Sequence, residues 1–376
     1  MMQAVHFGAG NIGKGFIGDL LHDSGFYITF VEVNDAVVQS INRTNSYDIY
    51  VIDKNYEKRT INNVSALSSG EEEITEAILD ADMVTTSVWA DNLAKVAPVI
   101  AKGLQKRIDN KKEKLNILAC ENALYATDIL KKEILKNLKA DESELNNYAC
   151  FPNVSVDRLA LNIIKDGEPA VEIDSSFELV IEKNKLVNPD TEPIKGAIYA
   201  ENLTMYLERK LYIVNCGHAA AAYLGFLKGY KIVQDALKDK EILEEVLGAM
   251  NESAAVLQKK FGFSHEDLQK FIQKNIKRFT SEAVKDDILR VGRSPIRKLD
   301  PTDRLVAPAL GCIEYNYETK YLSKIIAAVF HYENPNDEQA VILKKYLDEN
   351  GIEKSITNFT KIQKGTKLFD EISEKF

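Results

Sequence analysis

Cysteine is scarce in this chain, and its spacing does not suggest a metal site. Four cysteines are scattered over 376 residues. None forms a C-x-x-C pair, and no histidines lie nearby at the spacing of zinc ligands. We therefore expect neither a metal nor a disulfide, and we interpret all four as reduced, packed thiols. They are Cys120, Cys150, Cys216 and Cys312.

Acidic residues outnumber basic ones, 57 to 48. The formal net charge is −9, and the sequence pI is about 5.3. Nucleic acids and anionic membrane surfaces bind to basic footprints, so neither is expected as the main partner. A small anionic ligand would have to bind in a local basic pocket.

The chain also lacks a long apolar run. Its longest apolar stretch, residues 211–227, is interrupted by Asn215 and His218 and falls short of a membrane span. The first eight residues lack the basic segment and the long apolar run of a signal peptide. We expect a cytoplasmic protein, as a monomer or a small homo-oligomer.

Composition and length indicate two folded domains. Hydrophobic residues make up 45% and charged residues 28% of the chain, which is an ordinary globular profile, and 376 residues exceed one typical core. Pro189 and Pro193 interrupt the sequence where the pattern changes from mixed to helical. We place the boundary there, with residues 1–192 in the first domain and residues 193–376 in the second.

In the first domain, strand-forming runs alternate with helical segments. Such alternation predicts an α/β fold of the Rossmann type, with a mostly parallel sheet and helices on both faces. Residues 47–52 and 58–64 are predicted to form a hairpin. The other predicted strands cover residues 3–8, 27–33, 83–88, 115–119, 149–151 and 177–181.

The second domain is predicted to be mainly α-helical. Helical periodicity covers residues 232–261, and Ser264 opens a further helix with a capping box. A last helix over residues 337–350 is expected to end at Gly351. Residues 291–308 interrupt the pattern, and we expect a loop there.

Three glycines lie between the first predicted strand and the first predicted helix. Gly8 permits a tight turn, Gly10 lets a pyrophosphate approach the backbone, and Gly13 lets helix and strand pack closely. This G-x-G-x-x-G pattern favours a dinucleotide site, in which Asn11 and Ile12 complete the turn. A purely structural turn is the alternative.

Residues around this turn refine the prediction. Glu32 ends the second strand, where a carboxylate accepts hydrogen bonds from ribose hydroxyls and repels a 2′-phosphate, which favours NAD over NADP. Lys14 would complete a P-loop, but Gly15 stands where that motif needs a Ser or Thr for magnesium. Trp89, after a later strand, is either a packed tryptophan or part of the nicotinamide site.

A second group of polar residues lies in the apolar segment after residue 209. In an α-helix, at about 100° per residue, Asn215 lies about 140° and His218 about 80° around the axis from Lys210, so all three share one side. They are either catalytic groups held on a rigid element, or a solvated lysine with two satisfied core polar groups.

If the first domain binds NAD, we expect hydride transfer, which requires a base for the hydroxyl proton. No zinc set is present, and Tyr223 and Lys228 have the wrong spacing for the Tyr-x-x-x-Lys pattern of short-chain dehydrogenases. Lys210 is the strongest remaining base, because burial and a nearby positive nicotinamide both disfavour its ammonium form. Asn215 could donate to the developing oxyanion, and His218 could orient a substrate hydroxyl.

The pattern Lys210-x4-Asn215-x2-His218 resembles the signature of the polyol-specific long-chain dehydrogenases, and the likeness extends over almost the whole chain. The resemblance implies an N-terminal Rossmann domain, a mainly helical C-terminal domain and metal-independent oxidation with lysine as general base. It also implies a second oxyanion donor, which falls on Asn122. The further stretches that are similar to this family are residues 8–16, 120–122, 215–225 and 293–299.

The resemblance also implies a phosphorylated substrate, with reversible oxidation of D-mannitol 1-phosphate to D-fructose 6-phosphate by NAD. Basic residues are concentrated in the irregular C-terminal stretch, from Arg290 onward, and planar multidentate donors suit a sugar-phosphate dianion. A solvated basic loop, paired with Asp300 and Asp303, is the alternative. The residues expected at the phosphate are Arg293, Arg297, Lys298 and Arg304.

Two other functions are compatible with the sequence. The same residues could reduce a non-phosphorylated ketose or a hexuronate, in which case the basic stretch would not matter for the substrate. The chain could also be a non-catalytic NAD-binding sensor or scaffold, in which case Lys210 would be dispensable.

Overall fold

The computed structural model describes residues 1–68, 70–165, 167–281 and 285–376. The chain divides into two compact units, Met1–Leu203 and Thr204–Phe376. The boundary predicted after Glu192 lies upstream of this division, and it stays a prediction.

The first unit combines strands and helices in alternation. Along the chain the strands are β1 (Met2–Phe7), β2 (Phe26–Val31), β3 (Ser46–Val51), β4 (Glu57–Asn62), β5 (Val64–Leu67), β6 (Met83–Thr86), β7 (Leu115–Ala119), β8 (Ala149–Cys150), β9 (Val154–Lys165), β10 (Glu168–Glu182) and β11 (Ile198–Ala200). The helices are α1 (Asp19–Asp23), α2 (Asp35–Thr44), α3 (Glu71–Leu79), α4 (Leu93–Asp109), α5 (Ala126–Leu135) and α6 (Glu142–Leu145). A π-helix covers Gly13–Gly18, and 3-10 turns cover Ala90–Asn92 and Lys183–Lys185.

A parallel sheet forms the centre of this unit. Its strand order is β5-β2-β1-β6-β7-β8, and all its described pairs are parallel. If the six strands of this sheet are numbered among themselves along the chain, leaving out β3 and β4, their order is 3-2-1-4-5-6. This is the order found in dinucleotide-binding sheets. The predicted Rossmann-type domain is therefore confirmed.

The parallel sheet is buried on both faces. On β1, Val5 and Phe7 belong to one core cluster, together with Ile78 of α3 and Leu104 of α4. Ala4 belongs to the other cluster, which includes residues of the first helix and of the second sheet. Successive side chains of a strand point to opposite faces, so the buried residues of β1 need cover on both faces of the sheet.

A second sheet in the same unit was only partly predicted. Its order is β11-β10-β3-β4, with β9 antiparallel to β10 along the other edge. The predicted hairpin is confirmed, since Ser46 pairs with Asn62 and Val51 with Glu57. The strand predicted at residues 177–181 lies in β10, so its assignment to the parallel sheet was wrong. Strand propensity identifies a strand but not its partner, because pairing is a long-range contact.

The second unit is mainly helical, as predicted. After α7 (Leu203–Arg209) and a π-helix at Lys210–Asn215 come α8 (Cys216–Leu227), α9 (Val233–Ala236), α10 (Lys240–Phe261), α11 (His265–Phe279), α12 (Ile288–Gly292), α13 (Pro295–Lys298), α14 (Val306–Glu314), α15 (Lys320–Val329), α16 (Glu338–Thr360) and α17 (Lys367–Glu374). Tyr223 of α8 and Tyr332 are among its largest fully buried side chains.

Three local predictions in this unit have different outcomes. The cap at Ser264 is confirmed, because its hydroxyl accepts a hydrogen bond of 3.0 Å from the backbone N–H of Asp267. Gly351 was expected to end a helix, and its φ of +75° and ψ of 171° do break the helical backbone there, but a second helical segment follows directly and carries α16 to Thr360. The loop expected over residues 291–308 was partly wrong, because residues 291–292 end α12, Pro295–Lys298 form α13, and residues 306–308 begin α14.

The four cysteines are free thiols; Cys120, Cys216 and Cys312 are buried, and Cys150 is partly buried. Across the described ranges, no helix is both long enough and apolar enough to cross a membrane.

Candidate active site

The glycine-rich turn lies where the strand order reverses, between β1 and β6. Gly8 has φ +97°, and a Cβ there would lie 2.6 Å from the carbonyl oxygen of Ser87, which follows β6. A Cβ on Gly13 would lie 1.9 Å from the carbonyl oxygen of Gly8, whereas a Cβ on Gly10 would meet no atom within 4 Å. The three glycines thus provide a positive φ, close packing and open space beside the backbone. Ligands of doubly wound sheets bind at this reversal.

The side chains of Asn11 and Ile12 hold the turn in place. Nδ2 of Asn11 donates a hydrogen bond of 2.5 Å to the carbonyl oxygen of Ala160 in β9, and Ile12 packs against the neighbouring core. The first helix starts here, and its amino-terminal N–H groups and dipole favour an anion. What these two residues offer a pyrophosphate is therefore their backbone.

Glu32 follows β2 and is bonded to the turn. Its Oε2 accepts a hydrogen bond of 2.8 Å from the backbone N–H of Ala9. Its Oε1 accepts hydrogen bonds from the backbone N–H groups of Val33 and Asn34, at 2.8 Å and 3.0 Å. The carboxylate is partly exposed. It therefore lies where the acidic residue of a dinucleotide site is required.

Glu121 is a buried carboxylate that the sequence analysis did not single out. It is 5% exposed and accepts hydrogen bonds from the Thr86 hydroxyl at 2.8 Å and from the backbone N–H groups of Val88 and Trp89, each at 2.9 Å. Burial raises the pKa of this carboxyl, against the effect of the three hydrogen bonds. Trp89 has φ +72°, so Glu121 stabilises a backbone conformation that L-residues rarely adopt. Its neighbour Asn122 is exposed, just after β7.

The structure leaves Lys210, Asn215 and His218 accessible along one segment of the second unit. Each of the three is partly exposed, whereas every other residue from 210 to 225 is buried. The segment Lys210–Asn215 is a π-helix and not the expected α-helix. Because a π-helix closes i→i+5 hydrogen bonds, it brings Asn215 closer to alignment with Lys210 than an α-helix would. Such π-helical turns occur often at functional sites.

His218 is held by two neighbours that the sequence did not reveal. Its Nε2 lies 3.1 Å from Oδ2 of Asp286. Its ring stacks on Phe279, with 4.9 Å between the ring centroids and 13° between the planes. Asp286 is distant in sequence, and only its position just before Arg290 could have drawn attention to it.

The basic stretch divides into two kinds of residue. Arg293 and Arg297 are exposed, and Arg304 is partly buried with its Nε 2.6 Å from Oδ1 of Asp303. Desolvation, followed by the charge of Arg304 and also that of Arg293, lowers the pKa of Arg297. The positive charges of Arg304 and Arg293 therefore both act on Arg297, and Asp303 offsets part of their effect, so excess positive charge at Arg297 favours an anion.

Lys298 differs from these arginines. It is 3% exposed, and its Nζ donates hydrogen bonds of 2.6 Å to the carbonyl oxygens of Val291 and Arg293. Burial, and then the charges of Arg304 and Arg297, lowers the pKa of its amine to about 6. Its side chain supports the backbone around Arg293 from within the unit.

In the part of the chain that the structure describes, no group of three or more His, Cys, Asp or Glu side chains could hold a metal ion.

NAD-dependent oxidoreductases have a carboxylate at the end of the second strand, next to the dinucleotide-binding turn. Glu32 has this position here. The fold and the site together therefore assign the chain to that class. Family models narrow the assignment. Residues 2–195 match the Rossmann domain of mannitol dehydrogenases, and residues 202–375 match their C-terminal domain. The chain belongs to the mannitol dehydrogenase family, and the resemblance seen in the sequence is confirmed.

Similar proteins are found along the whole length of the chain. The mannitol-1-phosphate 5-dehydrogenase of Geobacillus stearothermophilus is 40% identical over 379 residues, which cover 100% of this chain and 99% of that protein. A protein of the same name from Clostridium acetobutylicum is 39% identical over 383 residues, covering 100% of this chain and 98% of that protein.

Solved structures share the fold at low identity. A D-sorbitol dehydrogenase in substrate-free form has a TM-score of 0.82 and 16% identity, covering 98% of this chain and 91% of that one. The Pseudomonas fluorescens mannitol 2-dehydrogenase, in a ternary complex with NAD and D-mannitol, has a TM-score of 0.75 and 17% identity, covering 100% of this chain and 91% of that one.

Proposed function

We propose that the protein catalyses the reversible, NAD-dependent oxidation of D-mannitol 1-phosphate to D-fructose 6-phosphate without a metal. The full-length similarity to mannitol-1-phosphate 5-dehydrogenases supports the substrate. We place the reaction in the cytoplasm and the active species as a monomer or a small homo-oligomer.

The turn formed by Gly8, Gly10 and Gly13 suits the pyrophosphate of NAD, with the backbone of Asn11 and Ile12 facing it. Glu32 would accept hydrogen bonds from the ribose hydroxyls. Bound NAD supplies the hydride acceptor.

In the direction of oxidation, the amine of Lys210 takes the proton of the reacting hydroxyl, and in reduction it returns that proton. The amide of Asn215 donates a hydrogen bond to the oxygen on which charge develops, and Asn122 of the first unit contributes a second donor. His218 binds a substrate hydroxyl. Two fixed donors on one oxygen favour the alkoxide-like transition state over the ground state.

The observation that carries this proposal is the burial pattern of residues 210–225. An apolar helix that exposes only a lysine, an asparagine and a histidine, all toward one side, has no packing reason to contain them. In a solvated face, a charged residue would recur along the whole helix. From residue 210 to residue 225 these three residues are instead the only ones left accessible on an otherwise buried segment, although the partly exposed Glu208 and Arg209 directly precede it, and a rigid element suits a reaction site.

The substrate phosphate is proposed to bind at Arg293, Arg297 and Arg304. Each guanidinium presents a planar set of donors that matches phosphate oxygens, and a dianion would offset the positive charge that Arg304 and Arg293 exert on Arg297. Lys298 is proposed to act here by holding the backbone of Arg293.

The proposal is tested by following NADH oxidation with D-fructose 6-phosphate and with D-fructose. Wild-type protein should reduce the phosphorylated ketose with much the higher kcat/KM. Substitution Arg293→Met should raise KM for fructose 6-phosphate about 10- to 100-fold, since a charge-assisted hydrogen bond contributes about 1.5–3 kcal/mol, and should change the fructose reaction little.

A matched control is Arg43→Met, which removes an exposed arginine of the first unit and should alter neither reaction. Equal efficiency with the two ketoses, or equal effects of Arg293→Met on both, would instead favour a non-phosphorylated substrate. Tight NADH binding without turnover of any ketose would favour the non-catalytic role.

A further inference from the structure

The carboxylate of Asp286 lies between the imidazole of His218 and the guanidinium of Arg290 in the second unit. Its Oδ2 is 3.1 Å from Nε2 of His218, and its Oδ1 accepts a hydrogen bond from the guanidinium of Arg290. Burial opposes ionisation of this carboxyl, but the hydrogen bond from His218, and the charge and hydrogen bond of Arg290, outweigh it, so the pKa of Asp286 is lowered. The group is therefore an ionised acceptor at neutral pH.

Both backbone polar groups of Asp286 are held by hydrogen bonds. Its N–H donates to Oε1 of the buried Gln234 at 2.9 Å, and its carbonyl oxygen accepts from the N–H of Val233 at 2.9 Å. On the other side of the imidazole, Phe279 stacks against the ring of His218. With the carboxylate and the ring both held, His218 has little freedom to rotate.

The protonation of the imidazole follows from this arrangement. An ionised carboxylate can only accept hydrogen bonds, so Nε2 of His218 must carry the proton that it donates to Asp286. In neutral histidine, the other ring nitrogen is then unprotonated. Among the described residues, Nδ1 of His218 has no hydrogen-bond partner, so its lone pair is available to a ligand.

We infer that Asp286 is a positioning residue for the proposed reaction: it fixes His218 as the Nε2–H tautomer, so that Nδ1 accepts a hydrogen bond from a substrate hydroxyl. This inference rests on the proposed function, and it gives His218 a defined role. In this arrangement the substrate hydroxyl donates its hydrogen to Nδ1 of His218. The hydroxyl oxygen can then still accept a hydrogen bond from another group. Arg290 completes the arrangement by binding the second carboxylate oxygen, so it is not one of the phosphate ligands.

The substitution Asp286→Asn gives a sharp test. The amide has the same shape as the carboxylate, but it carries an accepting oxygen on one side and a donating NH2 on the other. The guanidinium of Arg290 can only donate, so it selects the amide oxygen of the new residue. The amide NH2 then points at Nε2 of His218 and donates to it, which transfers the ring proton to Nδ1. The substituted protein would therefore hold the wrong tautomer and present a donor to the substrate hydroxyl.

The first readout is kinetic. Asp286→Asn should lower kcat/KM for fructose 6-phosphate by about 10- to 100-fold, a size typical of losing the partner that orients a functional histidine. The loss should disappear in a His218→Ala background, because a residue that acts through His218 has no effect without it. Asp287→Asn is the matched control: Asp287 is the next residue, caps α12 through the N–H of Arg290, and should leave kcat/KM near that of the wild type.

The second readout does not depend on activity or on the variant folding. The ring-nitrogen chemical shifts of His218, in wild-type protein labelled with 15N-histidine, should show protonated Nε2 and unprotonated Nδ1 at neutral pH. A protonated Nδ1 in the wild type would overturn the inference, and so would Asp286→Asn activity within about twofold of the wild type or an equal loss in the His218→Ala background. Lack of ketose reduction by the wild type would overturn the proposed function, while the tautomer measurement would still stand by itself.

Discussion

Oε2 of Glu32 accepts a hydrogen bond of 2.8 Å from the backbone N–H of Ala9. This contact joins the residue that follows β2 to the middle of the glycine-rich turn. A carboxylate oxygen has two lone pairs, so the contact leaves Glu32 able to accept further hydrogen bonds from a ribose. The same side chain can therefore stabilise the turn and accept hydrogen bonds from the ribose of the cofactor.

Substitution of Glu32 should change cofactor preference. Glu32→Gln removes the negative charge, so repulsion of a 2′-phosphate should fall. Its single amide oxygen can accept from the N–H of Ala9 or from those of Val33 and Asn34, but not from both sides. We expect the ratio of kcat/KM for NAD to that for NADP to fall about 10- to 100-fold, equivalent to about 1.4–2.8 kcal/mol. An unchanged ratio would show that the charge of Glu32 does not select the cofactor.

Two glycine substitutions separate packing from ligand binding. Gly13→Ala forces a Cβ against the carbonyl oxygen of Gly8, 1.9 Å away, and should cost about 1–3 kcal/mol of stability. Gly10→Ala meets no atom within 4 Å, so its melting temperature should match the wild type while its NADH affinity falls at least about tenfold. Differential scanning fluorimetry and NADH titration measure the two effects. Normal NADH binding by Gly10→Ala would show that the pyrophosphate does not bind at this turn.

Trp89 provides an intrinsic probe of cofactor binding. It is the single tryptophan of the chain, is 72% exposed and follows β6 close to Gly8. If NADH binds at the reversal of strand order, binding should quench tryptophan emission and transfer energy to the reduced nicotinamide. Trp89→Phe should abolish the transfer but not the binding measured by calorimetry. Saturable binding with unchanged tryptophan emission would place the cofactor elsewhere.

Lys298 should make stability depend on pH. Its pKa is about 6 in the folded protein and about 10.4 in an unfolded chain. Between these values the unfolded chain binds more protons, so the free energy of unfolding rises with pH. The penalty for the buried amine is absent above pH ~10.4 and complete below about pH 6.

The wild type is compared with Lys298→Met, which has no buried amine and therefore no cost of burying its protonated form. From pH 6.5 to pH 9, the urea midpoint of the wild type should rise relative to that of Lys298→Met, and Lys274→Met, at an exposed lysine, should follow the wild type. Parallel curves for wild type and Lys298→Met would mean that the amine stays charged in the fold.

Local patterns predicted much of the first unit. The predicted strand at residues 115–119 coincides with β7, and the hairpin of β3 and β4 is present. Both depend on short-range signals, namely strand-forming runs and their spacing. The assignment of residue 64 to that hairpin was wrong, because Val64 begins β5 and pairs with Ile28 of β2. Such pairing depends on contacts between distant residues, which a single sequence does not display.

The candidate site was predicted to a similar degree. Residue types and spacing pointed to Lys210, Asn215 and His218, and the structure leaves all three partly exposed on an otherwise buried segment, while their roles stay predictions. The π-helix that improves their alignment has no clear sequence signature, since it differs from an α-helix by one hydrogen-bond register. Asp286 lies 68 positions from His218, so only the folded chain reveals that they meet.

The central claim is that Lys210 transfers the proton in a ketose phosphate reduction. The most direct measurement is NADH-dependent turnover of D-fructose 6-phosphate by the wild type and by Lys210→Met, with the Kd for NADH measured on both. We expect turnover by the wild type, a loss of about 10²- to 10⁴-fold in the variant, and nearly equal Kd values. Turnover by Lys210→Met within a few-fold of the wild type would contradict the account.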